Sequence, residues 1–119
     1  MKALVIGENG QLGWELKRTC PENVTLTAVD YPEIDLVKKE ILSEILKSET
    51  PDWVINAAAY TAVDKAEEDK ETAYNINHKG VENLCQEILK ANSRMVHIST
   101  DFIFDGDSPK PYRPDDEPN

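Results

Sequence analysis

"KALVIGENGQLGWELKRTC", residues 2 to 20, decides how the rest of the chain is read. The apolar run Ala3 to Ile6 leads into three glycines, Gly7, Gly10 and Gly13, and a stretch with Leu12, Leu16 and Cys20 at every fourth position follows. Asn9-Gly10 is a hairpin signal, but a hairpin needs a second alternating strand and none comes next. Fourth-residue spacing puts side chains on one helical face, so the order reads strand, glycine turn, helix. In that order Gly7 permits a sharp exit from the strand, Gly10 lets backbone approach a pyrophosphate, and Gly13 lets the helix pack close to the sheet. The start of the helix then offers unpaired N–H groups to an anion. Taken alone, the same glycines could serve a plain structural turn, so the remaining segments decide between the two.

The bulk properties narrow the field. At 119 residues the chain has the size of one domain. With 13 basic against 23 acidic residues its net charge is −10, which argues against a nucleic-acid or anionic-membrane partner, since both need clustered Lys and Arg. No apolar stretch has the length of a membrane span, and "MKALVIGENG" lacks a signal-peptide pattern, so a cytoplasmic protein is expected. Cys20 and Cys85 fall at apolar positions of predicted helices, where burial is expected rather than a disulfide. With no C-x-x-C and only His78 and His97, no structural metal site is expected.

Further along, "VTLTAVD" (24 to 30) predicts a second strand, and Asp35 is a potential cap for a helix carrying Val37, Ile41, Ile45 and Leu46 up to Pro51. "DWVINAAA" (52 to 59) is a third apolar run. A long helical segment, 64 to 92, sets Ala73, Ile76, Gly80, Leu84 and Ile88 on one stripe, and "RMVHIST" (94 to 100) is the last run. Strands alternating with helices imply βαβ crossovers, hence an α/β fold with a doubly wound parallel sheet of Rossmann type. Residues 1 to 104 read as this unit. The tail from 105 to 119, with four of the seven prolines and no periodicity, reads as a loop leading onward to a remainder.

Ligands of open parallel sheets bind beyond the carboxyl ends of the strands, so residues following each strand matter most. Asp30 closes the second strand 17 residues after Gly13, near where a dinucleotide fold places the acid that holds the adenosine ribose. "NAAAYT" follows the third run; its small residues serve either helix–sheet packing or a flat cofactor lying on the backbone. Ser99, Thr100 and Asp101 follow the last, where strand-end hydroxyls are usually solvated or capping groups. Four weak signals on one edge make a stronger one.

Together, "GENGQLG", "NAAAYTAVDKAEED", "NINHKGVENL" and "HISTDFIFDG" resemble the extended short-chain dehydrogenase/reductases, and among them the family that reduces dTDP-4-dehydrorhamnose; the resemblance runs from Met1 to Asn119. It implies a cofactor, NADPH or NADH, held by the turn residues Gly7, Asn9, Gly10, Gln11, Leu12 and Gly13, with Asp30 on the adenosine ribose and Asp35 and Leu36 beside the adenine. Ala57, Ala58, Ala59, Tyr60 and Thr61 would continue the cofactor lining toward the nicotinamide. Thr100 would be the hydroxyl member of the Thr/Tyr/Lys catalytic set, polarising the C4 keto oxygen of a nucleotide sugar. Val63, Asp64, Thr100 and Asp101 would lie at the substrate, although an acid at a helix start also explains Asp64.

Two departures qualify the resemblance. Phe102 stands where many members have tyrosine, and the family's Y-x-x-x-K pair, which supplies and tunes the proton donor, is not within these 119 residues. The chain alone is therefore expected to be inactive and, with its last strand unpaired at one side, to self-associate; a homodimer is expected of a full-length enzyme. An acid at 30 disfavours a 2′-phosphate, whereas the family often accepts NADPH, which leaves nucleotide preference open. A dinucleotide-binding regulatory module without catalysis, or a reductase of a different nucleotide sugar, stands as the alternative.

Overall fold

The computed structural model describes residues 1 to 118, Asp101 by its backbone only. Strand β1 (Lys2–Ile6) is followed by helix α1 (Gln11–Arg18), β2 (Thr25–Val29), α2 (Lys39–Glu49) and β3 (Trp53–Asn56). Then come two short helices, α3 (Val63–Glu68) and α4 (Lys70–Tyr74), a π-turn (Asn75–Gly80), α5 (Val81–Ala91), β4 (Arg94–His97) and a 3-10 turn (Asp101–Ile103). The strands pair in parallel in the order β2-β1-β3-β4. From β1 the chain steps one way to β2, then crosses back past β1 to β3. That reversal is the point at which an open α/β sheet forms its crevice.

Register shows how the faces are shared. Leu4 aligns with Thr27 and Val54, and Val54 with Met95, so these side chains point to one face. There Leu4, Ile6, Val29 and Val54 meet Leu42 and Leu46 of α2 and Leu84 and Ile88 of α5 in one buried core. Each such aliphatic side chain, fully buried, contributes about 1.5–3 kcal/mol. The opposite face carries Ala3, Leu26, Ile55 and Val96; α1 lies over part of it, leaving an apolar groove of about 430 Å³ that Leu16, Cys20 and Trp53 also line. The parallel, doubly wound sheet expected from the alternation is present.

Several element boundaries differ from the sequence reading. Asp35 does not cap α2: its Oδ1 accepts from Val37 N at 3.0 Å, closing a turn of its own, and the helix starts after Lys38 with no side-chain cap. The stripe of α2 is centred on Leu42, fully buried, whereas Val37 is 43% exposed. The long segment 64 to 92 is not one helix. Asp69 leaves helical geometry (φ −122°, ψ 63°) and caps α4 instead, accepting from Thr72 N at 3.1 Å, so a local side-chain bond outcompetes the continuous helix. Past the π-turn, Gly80, Leu84 and Ile88 are buried as their spacing requires. Both long helices facing the core end on residues in the left-handed region, Thr50 (φ 46°) and Asn92 (φ 54°).

The strands are shorter than their apolar runs, because pairing stops where the chain turns into the crevice: β3 ends at Asn56 and β4 at His97. β4 forms the edge of the described sheet, unpaired at one side as expected, and its Met95 packs against the core. The cysteines depart from expectation too: Cys85 is exposed, with Sγ 3.7 Å from Met95 Sδ, and Cys20 lies beyond the end of α1, half-buried. Both thiols are free.

Candidate functional site

The glycine turn does two different jobs. Gly7 has φ +96°, and a Cβ there would come within 2.7 Å of Ala58 N, so the turn after β1 lies directly on the backbone after β3. Gly13 admits α1 against the turn, since a Cβ on it would stand 2.1 Å from Gly7 O. Gly10 is unlike both: its φ is −75°, and a Cβ would meet only Gly7 O, at 3.5 Å. Among the described residues nothing requires glycine there. Gly10 is also the N-cap of α1 and offers no side-chain bond, so the first N–H groups of the helix, on Gln11 and Leu12, have no intrahelical acceptor. The fourfold spacing does not bury Leu12, which is 39% exposed at this helix start.

Asp30 is brought to this turn. Its Oδ2 accepts from Asn9 N at 2.9 Å and its Oδ1 from Tyr31 N at 2.8 Å, which fixes the carboxylate at the mouth of a cavity of about 480 Å³. Ile34, Leu36, Ile76 and Ala59 make that cavity largely apolar, with Asp35 at its rim beside Lys38 (3.5 Å). A second cavity, of about 660 Å³, is lined by Ala57, Tyr60, Thr61, Val63, Thr100 and Phe102 among others. Ala58 and Ala59 belong to both walls, so the two cavities adjoin along the backbone that leaves β3. A larger hollow of about 680 Å³, near Lys47, Asp52 and Arg94, opens at the amino ends of the strands, remote from every residue of the glycine turn.

Buried polar groups hold the shared wall. Asn56, fully buried, accepts from Ala58 N through Oδ1 at 3.2 Å, which leaves its Nδ2 to donate to His97 Nδ1 at 3.2 Å. In that pairing a neutral His97 carries its proton on Nε2. Asn77 binds both polar atoms of the Tyr60 backbone. Thr100 Oγ1 accepts from Phe102 N at 3.2 Å at the far end of the second cavity, and Phe102 is 89% exposed.

Of the residues expected at a site, the fold gathers Gly7, Asn9, Gly10, Asp30, Asp35, Leu36 and Ala57 to Thr61 at one edge of the sheet, with Val63 and Thr100. Asp64 sits in the first turn of α3, outside both cavity walls, and the side chain of Asp101 lies outside the described residues. Ile34, Ile76, Asn56 and Asn77 were missed. "NINHKG" carried the signal for Asn77, an amide directly after the apolar helix position Ile76, but only the tertiary contact shows what it holds.

Across residues 1–119 the sequence matches the profile of the family described as RmlD substrate binding domain. The chain belongs to that family. Relatives include dTDP-4-dehydrorhamnose reductases of Burkholderia thailandensis, 43% identical over 94% of this chain and 38% of the relative, and of Aggregatibacter actinomycetemcomitans, 38% identical over 97% and 40%. Family members thus extend well past the matched region: this chain spans about two fifths of their length. Among solved structures, the dTDP-4-dehydrorhamnose reductase of Clostridium acetobutylicum superposes with a TM-score of 0.94 at 39% identity, covering 100% of this chain and 43% of that one. The Bacillus anthracis enzyme, solved in complex with NADP, gives 0.95 at 32% identity, covering 99% and 43%. A Thermus thermophilus UDP-glucose 4-epimerase, at 22% identity and a TM-score of 0.80, shares the fold.

Proposed function

We propose that these residues form the dinucleotide-binding part of a dTDP-4-dehydrorhamnose reductase that uses NADPH or NADH to reduce the C4 keto group of dTDP-4-dehydro-L-rhamnose, giving dTDP-L-rhamnose. The observation that carries the reading is Gly10: a glycine at an uncapped helix start, next to a fixed carboxylate, whose missing Cβ leaves space that no atom of the described residues fills. The names of the relatives and the NADP complex of one of them support it.

On this reading each wall has a task. The N–H groups of Gln11 and Leu12 receive the pyrophosphate, helped by the helix dipole. Asp30, its carboxylate already oriented by Asn9 and Tyr31, accepts from the ribose hydroxyls, and its charge weights the pocket toward NADH by repelling a 2′-phosphate. Ile34, Leu36 and Ile76 take the adenine in an apolar slot, while Ala57 to Ala59 let a flat ring system lie against the backbone. When bound, the dinucleotide supplies the hydride. Thr100 orients the sugar carbonyl and polarises its oxygen, with Val63, Asp64 and Asp101 toward the sugar. The proton donor and its lysine that the resemblance implies would come from residues other than these 119.

Gly10→Val tests the assignment. In the full-length protein the substitution is expected to leave folding intact, because the site is open, and to abolish NADH and NADPH binding by titration. Gly13→Ala, which drives a methyl into Gly7 O, is the contrasting control and is expected to cost the fold itself. Parental cofactor affinity in a folded Gly10→Val protein would return the glycine turn to a purely structural role.

A further inference from the structure

Two asparagines on one continuous stretch hold opposite walls of the crevice. Asn77, in the π-turn, accepts from Tyr60 N through Oδ1 at 2.8 Å and donates from Nδ2 to Tyr60 O at 3.0 Å. Asn83, on α5, donates from Nδ2 to the carbonyls of Leu36 and Val37, both at 3.2 Å. Between them Gly80 is buried against Leu36, where a Cβ would come within 2.7 Å of Leu36 Cβ. The π-turn also supplies the cavity walls themselves: Asn75 and Ile76 line the first cavity and Asn77 the second.

An amide that satisfies both the N–H and the C=O of one residue pins the two peptide units that flank it, because moving that residue breaks two bonds at once. The Tyr60 loop leaves the strand register after Asn56, and this clamp ties Tyr60 to a helix. A π-turn inserts a residue into the helical repeat, which swings the residues before it by on the order of 100° relative to those after it. Within and just past this turn the chain carries Asn77 to Tyr60 while Gly80 and Asn83 sit on Leu36 and Val37. π-turns of this kind recur at functional positions.

We propose that the π-turn is a spacing device for the crevice, with Asn77 as its positioning residue: it sets the Tyr60 wall of the second cavity relative to the adenosine side of the first, and thereby favours a ligand that spans both, a dinucleotide, over one that fills the first alone, a nucleoside diphosphate. The inference rests on the dinucleotide reading given above. Asn77 touches the backbone wall and acts through it.

The test compares ADP with NADH and NADPH, titrated against the full-length protein and its Asn77→Ala, Asn77→Asp and Asn83→Ala variants. Asn77→Ala is expected to bind ADP within about twofold of the parent while losing about tenfold in affinity for both dinucleotides. Asn77→Asp, which keeps the acceptor for Tyr60 N but sets a carboxylate oxygen against Tyr60 O, is expected to lose dinucleotide affinity at least as far as the alanine variant while ADP stays near parental, and to stand in if the alanine variant does not fold. Asn83→Ala is expected to weaken ADP and dinucleotides together. Equal losses of ADP and dinucleotide in the Asn77 variants would show a merely structural residue and overturn the proposal, as would no loss of either. A parent that binds neither ADP nor a dinucleotide fails earlier, at the cofactor reading, and takes this inference with it.

Discussion

Thr100 shows how much a single residue can owe to its place. In sequence it is a hydroxyl in "STD", no more marked than many capping groups; in the fold it lines the same cavity as Tyr60 and Ala59, across from the shared wall of the crevice. The task proposed for it is at the substrate carbonyl and not at the dinucleotide. Thr100→Val in the full-length protein is therefore expected to lower kcat about 10²-fold or more while NADH and NADPH affinities stay near parental, read by steady-state kinetics beside cofactor titration. Parental turnover would remove the hydroxyl from the mechanism. The glycines teach the same lesson from the other side. Three equally spaced residues look alike in sequence, yet Gly7 and Gly13 are demanded by contacts of 2.7 and 2.1 Å and Gly10 by no atom of the described residues. Spacing marked all three, but it does not separate them, because what distinguishes them is the neighbour each side chain would strike.

At the scale of elements, periodicity worked where a face is buried and failed where local side-chain chemistry intervened. Gly80, Leu84 and Ile88 were legible from their spacing because one side of α5 meets the core. The break at Asp69 and the turn at Asp35 were not, since each depends on a carboxylate choosing a nearby N–H over solvent. The tail gives a further case. It carries no repeat pattern, yet Phe104 stacks on Tyr112 with ring centroids 4.4 Å apart, and Tyr112 OH donates to Asp105 Oδ1 at 2.5 Å. That hydroxyl first, and the N–H of Asp107 second, hold the Asp105 carboxyl below its ordinary pKa. A depressed folded-state value means the contribution is complete above the unfolded value of about 3.9 and is lost as pH falls through the lowered one. The Tyr112 ring signals are accordingly expected to stay constant down to about pH 4 and to shift only on further acidification. A transition centred above that value would show that the Asp105 contact does not hold the loop.

For the whole molecule, the decisive feature is asymmetry between the two faces of the sheet. One is closed by α2 and α5, whereas the other leaves the groove of Leu16, Leu26, Ile55 and Val96, next to an edge strand whose Val96 is 41% and following Ile98 46% exposed. An uncovered apolar face beside an unpaired strand edge invites pairing with another chain. Residues 1 to 119 prepared alone are expected to self-associate and to show no carbonyl-dependent oxidation of NADPH; light scattering and an absorbance assay check the two halves. A dilute, well-folded monomer, or activity, would count against this. By itself the sequence determined the class of fold, the order of strand and helix, and the edge of the sheet at which the candidate site residues collect, because those follow from hydrophobic period and from the handed, short connections of βαβ units. Only tertiary structure decided that the long helix is broken and carries a π-turn, that Asn77 holds Tyr60 and Asn56 holds Ala58, and that Leu12 is exposed where its spacing marked an inner face. Periodicity records which side of an element is apolar; which polar atom meets which depends on the third dimension, where residues distant in sequence come within 3 Å of one another.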